Sequence, residues 1–160
     1  MGILSILRKS AILPKKDALF WLNRISMRDT LVYLFLLFFI VFLPNVMIMI
    51  AGYEQGYSQV SYSQYLLQII VFYPFFMMFL VVTSISILAL GSLLLRSILQ
   101  RKLAYQQLWK MTAFALLWPL LSYQVLYFIS QEPTIAFLLC ALFLYVIVVQ
   151  MILKYPKRKK

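Results

Sequence analysis

The sequence predicts an all-α integral membrane protein: four transmembrane helices, N-in/C-in, with an N-terminal amphipathic interfacial segment. Three observations predict it: an apolar composition, four charge-free stretches of spanning length, and a one-sided distribution of basic residues. Of 160 residues, 64% are hydrophobic and only 12% charged, with a mean hydropathy of +0.92. A soluble domain is nearer half apolar and a quarter charged. Such a chain lacks the polar residues needed to cover a core with a water-facing surface.

The charge-free stretches give the spans. A crossing needs about 20 apolar residues for a ~30 Å hydrocarbon layer, and in lipid its backbone must be hydrogen-bonded internally, hence helical. The spans run over about 30–51, 66–95, 111–129 and 134–153, forming a single domain over 30–153. Residues 1–29 form a cytoplasmic basic/interfacial segment, and 154–160 a basic cytoplasmic tail. The stretch between Glu54 and Arg96 is long enough for two crossings. Its early part, YSQVSYSQ from Tyr57 to Gln64, is too polar for lipid and reads as an outer loop or interfacial turn. Pro74 then marks a start or kink of one long helix.

Charge placement decides the count. The chain has 15 Lys and Arg against 4 Asp and Glu, and a net charge of +11. Arg8, Lys9, Lys15, Lys16, Arg24 and Arg28 precede the first span. Arg96, Arg101, Lys102 and Lys110 lie between the second and third, and Lys154, Lys157, Arg158, Lys159 and Lys160 follow the fourth. The connections around Glu54 and Glu132 carry none. Basic residues accumulate on the cytoplasmic side, so both termini and the central loop are expected inside. Two crossings between Glu54 and Arg96 would put that loop outside. The same placement assigns the charge to an anionic inner leaflet and argues against nucleic acid as a partner. Arg96, Arg101, Lys102, Lys110, Lys157 and Arg158 are the candidate lipid-headgroup contacts.

Ahead of the first span, Ile3, Leu4, Ile6, Leu7 and Ala11 fall broadly on one helical face, opposite Ser5, Arg8 and Lys9, as in a helix lying on a membrane surface. After Pro14, Asp17 is a candidate cap for a second interfacial helix with Trp21, Leu22 and Ile25. The plainer alternative is a frayed lead-in to the first span. A cleaved signal peptide is not expected, nor a myristoylation site, because Ile6 stands where Ser or Thr is required. Tyr53, Tyr57, Tyr62 and Tyr65 crowd the outer connection, while Trp21 and Trp109 lie near the inner boundary. Both groups read first as aromatic belts, the tyrosines less simply as a ligand-stacking cluster.

Recognisable chemistry is sparse. The sequence has no histidine and one cysteine, Cys140, so it offers no metal-ligand spacing, no internal disulfide and no base for a serine nucleophile. Asp17, Asp29, Glu54 and Glu132 all lie in loops or at boundaries. None stands at membrane depth, where ionisable groups mark proton or ion paths. Four glycines make no phosphate loop. The chain is therefore expected not to be an enzyme and to need no cofactor. Asn45, Ser84, Ser86, Ser92, Gln124 and Gln150 are the candidate intramembrane polar or packing residues. Ser86, Ala89 and Ser92, with Gly91, permit close helix approach. Pro119 is expected to kink the third helix.

The segment LAYQQLWKMTAFALLWPLL, from Leu103 to Leu121, resembles an uncharacterised Gram-positive multi-pass membrane family, the domain-of-unknown-function 1189 family. That family is related to the Yip1-like group, and some members bear the name maltodextrin-utilisation membrane protein. SAILPKKDALF at Ser10–Phe20 and TLVYLFLLFFIVFLP at Thr30–Pro44 look similar too. Tyr105, Trp109 and Pro119 are the most specific part, and none of them forms a chemical motif. Family members usually carry a larger extracytoplasmic segment between the first two helices; the short tyrosine-rich stretch here argues against a sensor domain. The resemblance implies a bacterial plasma membrane and an accessory role, and offers no catalytic residue to carry over.

The resulting expectation is a non-enzymatic membrane accessory or scaffold protein, acting through helix packing with a membrane-protein partner or as a homo-oligomer. A subunit of a small oligomeric transporter or channel is the alternative, and an assembling, holin-like lytic protein a third. If Asn45, Ser84, Ser86 and Gln124 converged on one water-accessible cavity, the transporter reading would gain; if each met a neighbouring helix, it would lose.

Overall fold

A computed structural model describes residues 2–53, 61–130 and 132–157, and these are all-helical apart from one isolated bridge. In chain order the elements are α1 (Ile3–Ala11), α2 (Lys16–Asn23), α3 (Met27–Ala51), α4 (Tyr62–Ile98), α5 (Tyr105–Ala115), α6 (Leu117–Ser130) and α7 (Pro133–Leu153). Three of them, α3, α4 and α7, are long and apolar enough to cross a membrane.

Local chemistry explains most of the boundaries. Ser26 caps α3 by accepting the Asp29 backbone N–H at 3.1 Å, an S-x-x-D pattern that satisfies an otherwise orphan donor. Asp17 does not cap α2. The N-cap is Lys15 without a side-chain bond, and Asp17 lies in the first turn, where its charge still favours the helix N-terminus. At the start of α5, Gln107 Oε1 accepts the Ala104 N–H at 3.0 Å. Gln100, with φ of 50°, ends α4: its N–H bonds Ser97 O and that of Arg101 bonds Arg96 O, the Schellman pattern that closes a helix.

The prolines act in three different ways. Pro44 lies inside α3 without interrupting it. Pro74 follows a π-helical stretch at Gln68–Phe72; the widened turns carry α4 past the ring, which in a regular helix would strike the Ile70 carbonyl. Pro119 cannot donate to Ala115, and the predicted third span is broken there: α5 ends at Ala115 and α6 restarts beyond Leu116. The break is one residue long: Leu116 keeps right-handed helical dihedrals, φ −69° and ψ −18°. The polar YSQVSYSQ stretch is only partly a loop, because Tyr62–Gln64 are helical and Ser61 is their N-cap. Residues 57–60 lie outside the described residues.

The core is centred on α5. Leu108, Trp109 and every residue from Met111 to Ala115 are buried, against α4, α2, α7 and α3. Tyr33 of α3 meets Phe114 with ring centroids 5.3 Å apart. The buried stripe of α4 is Val81, Ile85, Ala89 and Ser92, one face at helical spacing. Gly91 lies beside that stripe under the Tyr145 ring of α7; a Cβ there would stand 2.2 Å from the phenol oxygen. The phenol passes over the glycine to donate to Leu88 O at 3.3 Å. Away from this base, apolar side chains such as Met47, Phe75, Ile129 and Phe137 are largely exposed, an outward apolar surface unlike that of a water-soluble bundle.

Candidate functional site

The densest polar construction lies where the N-terminal helices, the α4–α5 connection and the chain's C-terminal segment meet. Several contacts there share one form: a donor side chain from one segment reaches a backbone carbonyl of another, at or near a helix C-terminus for Lys110, Trp118 and Arg101 and in the α1–α2 turn for Lys154. Helix C-termini leave four carbonyls unsatisfied and carry partial negative charge, so cations and N–H donors are favoured there. Lys110 of α5 donates to Asn23 O at 3.2 Å and Ile25 O at 2.6 Å, just past α2. Trp118 Nε1 of α6 donates to Ala11 O, the end of α1, at 2.9 Å. Lys154 Nζ donates to Pro14 O, and Arg101 Nη1 to Tyr155 O.

Further contacts make this a clasp. Asn23 Nδ2 donates to the Tyr155 hydroxyl at 2.7 Å, and Phe20 packs on the Tyr155 ring at 5.2 Å. Burial raises the Tyr155 phenol above its ordinary pKa, so it is neutral and available as Asn23's acceptor. Arg101 pairs with Lys157 in an antiparallel bridge, and the Lys102 N–H bonds Pro156 O at 3.3 Å. Ile6, Leu13, Ala18, Leu19 and Leu22 of the N-terminal segment are buried. Within α1, Ile6 and Ser10 face the protein, whereas Ile3, Leu4 and Leu7 stay exposed. The single apolar face expected of α1 is therefore divided between protein and surroundings.

Of the candidate headgroup cations, Lys110 and Arg101 are directed at backbone carbonyls inside the protein. Arg96 is half-buried, Lys102 and Lys157 are exposed, and Arg158 lies outside the described residues. Trp109, expected in an interfacial belt, is buried and donates to Ser86 Oγ at 3.2 Å. The sequence alone does not mark Lys110, Trp118, Asn23, Tyr155 and Lys154 as a group. One signal was present: Lys110 stands one turn before Phe114 on an otherwise apolar stripe, a position where a lysine needs a nearby acceptor.

The intramembrane polar candidates do not converge. Ser86 Oγ bonds Val82 O at 2.7 Å besides accepting from Trp109. Ser92 meets Thr112 of α5 at 3.0 Å, fully buried. Gln124 Nε2 reaches across to Val41 O of α3 at 3.2 Å. Asn45 and Gln150 are exposed. Ser84 borders a cavity of about 270 Å³ between α3, α4, α6 and α7, lined otherwise by apolar and aromatic residues including Phe38, Ile85, Pro119 and Tyr123, with the Cys140 thiol. At the opposite end, Tyr53 meets Tyr62 edge-on and Tyr65 at a tilt, with ring centroids 5.1 Å apart in each pair, and the Tyr65 hydroxyl bonds Met49 O at 2.9 Å. Tyr57 lies outside the described residues. Among the described residues no three His, Cys, Asp or Glu side chains come together as metal ligands.

Helical throughout and equipped with three spanning-length apolar helices, this is a protein of the class compatible with membrane embedding. A family profile described as Protein of unknown function (DUF1189) matches residues 57–155, and the chain belongs to that family. The match takes in α4 to α7 and ends at Tyr155 of the clasp, so Tyr105, Trp109 and Pro119 lie within it. The similar-looking segments at Ser10–Phe20 and Thr30–Pro44 lie outside it. No curated protein and no solved structure matches the chain.

Proposed function

We propose that the chain is a four-span plasma-membrane protein with both termini cytoplasmic, working as a non-enzymatic accessory or scaffold protein through helix packing with a membrane partner. The observation that carries the functional part is the use of its polar groups. Ser86, Ser92 and Gln124 bond groups of the protein itself, and the cations Lys110, Arg101 and Lys154 are held by backbone carbonyls of other segments. A conduit instead requires polar groups facing one continuous cavity.

Support for four crossings comes from where the connections meet. Asn23, Arg101 and Tyr155 share one end of the molecule through the clasp contacts. α3 leaves that end, α4 returns to it and α7 finishes there. The chain must therefore travel outward once more between Arg101 and Pro133, which leaves α5 and α6. α6 alone, with 14 residues, rises about 21 Å, short of a ~30 Å core; flanking residues on α5 supply the rest. The basic residues at the clasp end favour the cytoplasm. A bacterial, Gram-positive plasma membrane and the Yip1-like relationship belong to the same proposal.

The second reading, an oligomeric transporter or channel subunit, draws on Asn45 and Gln150, exposed where a neighbouring protomer could meet them, and on Ser84 at the edge of the cavity between α3, α4, α6 and α7. Flux separates the two. The purified chain reconstituted alone in vesicles is expected to leave the permeability to protons, potassium and small sugars at the level of empty vesicles. A flux that scales with protein and falls in Ser84→Ala or Asn45→Ala would overturn the scaffold reading.

A further inference from the structure

On the face where α4 and α7 run together toward the clasp lies a shallow groove of about 780 Å³. Gly91, Leu94 and Ile98 form one wall, Leu142, Val146 and Val149 the other, and Gln150 stands near the inner end. Tyr145, drawn across Gly91 to reach Leu88 O, keeps the two helices close at the upper end. Several wall residues are more than half exposed, Ile98 at 76% and Leu94 at 66% among them. From Leu142 to Gln150 the groove is about 12 Å long at the rise of an α-helix, close to the ~15 Å depth of one leaflet.

What lies at its end gives the occupant its chemistry. The two walls finish at Ile98 and Leu153, and the segments that continue them are tied together by the Arg101–Lys157 bridge and the Lys102 N–H bond to Pro156 O. The backbones of Arg101, Lys102 and Lys157 thereby lie side by side beyond the groove's inner end, with Lys102 and Lys157 exposed and their long side chains free to turn toward it. Apolar walls one leaflet deep, ending in clustered cations, match an amphiphile with an anionic head.

The geometry points to an anionic phospholipid of the inner leaflet as the occupant of this groove, one acyl chain lying between α4 and α7 and the phosphate meeting Lys102 and Lys157. This rests on the membrane-spanning reading above, with the clasp on the inner side. It goes beyond general attraction of basic residues to the membrane surface, because it names one site with a chain-binding part and a headgroup-binding part. Arg101 holds the site together through Tyr155 O; the two exposed lysines supply charge to the lipid.

The test is a titration of delipidated protein in mild detergent with phosphatidylglycerol or phosphatidylcholine carrying the same chains, bound lipid being counted by native mass spectrometry. The first phosphatidylglycerol is expected to bind at least about tenfold more tightly than phosphatidylcholine, weakening about fivefold for each lysine removed in Lys102→Gln and Lys157→Gln. Val149→Trp, which fills the groove, should weaken both lipids. Arg8→Gln with Lys16→Gln, on the N-terminal helices, should leave the preference unchanged. Equal binding of the two lipids to the unaltered protein, a preference surviving in Lys102→Gln/Lys157→Gln, or full binding in Val149→Trp would overturn the site while leaving the protein membrane-embedded. A protein that retained neither lipid and stayed monodisperse without detergent would instead overturn the membrane reading on which the site rests.

Discussion

Gly91→Ala is expected to destabilise the protein by about 1–3 kcal/mol, read as a lowered unfolding midpoint in micelles. The added methyl would stand 2.2 Å from the Tyr145 phenol oxygen and 2.9 Å from the ring carbon that bears it. The Tyr145 ring must then swing aside and leave Leu88 O, giving up its packing across α4, an overpacking cost of that size. The sign is diagnostic, since alanine is by itself the better helix former by about 1 kcal/mol. In a Tyr145→Ala background the same Gly91→Ala change should therefore turn neutral or stabilising. Equal destabilisation in both backgrounds would mean that the close approach of these helices does not depend on the glycine.

Lys110→Met is expected to cost about 2–3 kcal/mol, the range for losing charge-assisted hydrogen bonds and leaving their acceptors unpaired. Its ammonium is held by Asn23 O and Ile25 O, so the loss falls on the docking of α1 and α2 rather than on α3, α4 and α7. Trypsin should cut at the exposed Lys15 and Lys16 faster in the variant, while helical content measured by circular dichroism changes little. Unchanged cleavage would show that the buried apolar contacts of Leu19 and Leu22 hold the N-terminal helices without the clasp.

These two sites differ in how far the sequence announced them. The small-residue spacing around Ala89, Gly91 and Ser92 pointed to close packing, because small side chains in apolar helices have few other uses. The helices α3, α4 and α7 were legible from apolar length alone; Pro119 announced a kink in the third span, and the structure has a one-residue break at Leu116. Lys110, Arg101 and Lys154 were not. A cation at the end of an apolar run looks the same in sequence whether it faces a headgroup or a carbonyl 85 residues away. The choice is made by tertiary packing. Trp109 departs from the interfacial belt for the same reason, its indole N–H finding Ser86 instead of a water interface. The polar start of α4 is not legible locally, because Tyr62 and Tyr65 are held by Tyr53, a contact between separate segments that no local propensity encodes.

The central claim is that α5 and α6 together make a crossing, so that the chain passes the membrane four times. Single cysteines in a Cys140→Ser background, labelled in intact cells with a membrane-impermeant thiol reagent, test it most directly. Lys16→Cys, Lys102→Cys and Lys157→Cys are expected to label only after permeabilisation, and Ser61→Cys and Glu132→Cys from outside. Labelling of Lys16→Cys and Lys157→Cys from opposite sides would mean an odd number of crossings and would contradict the account.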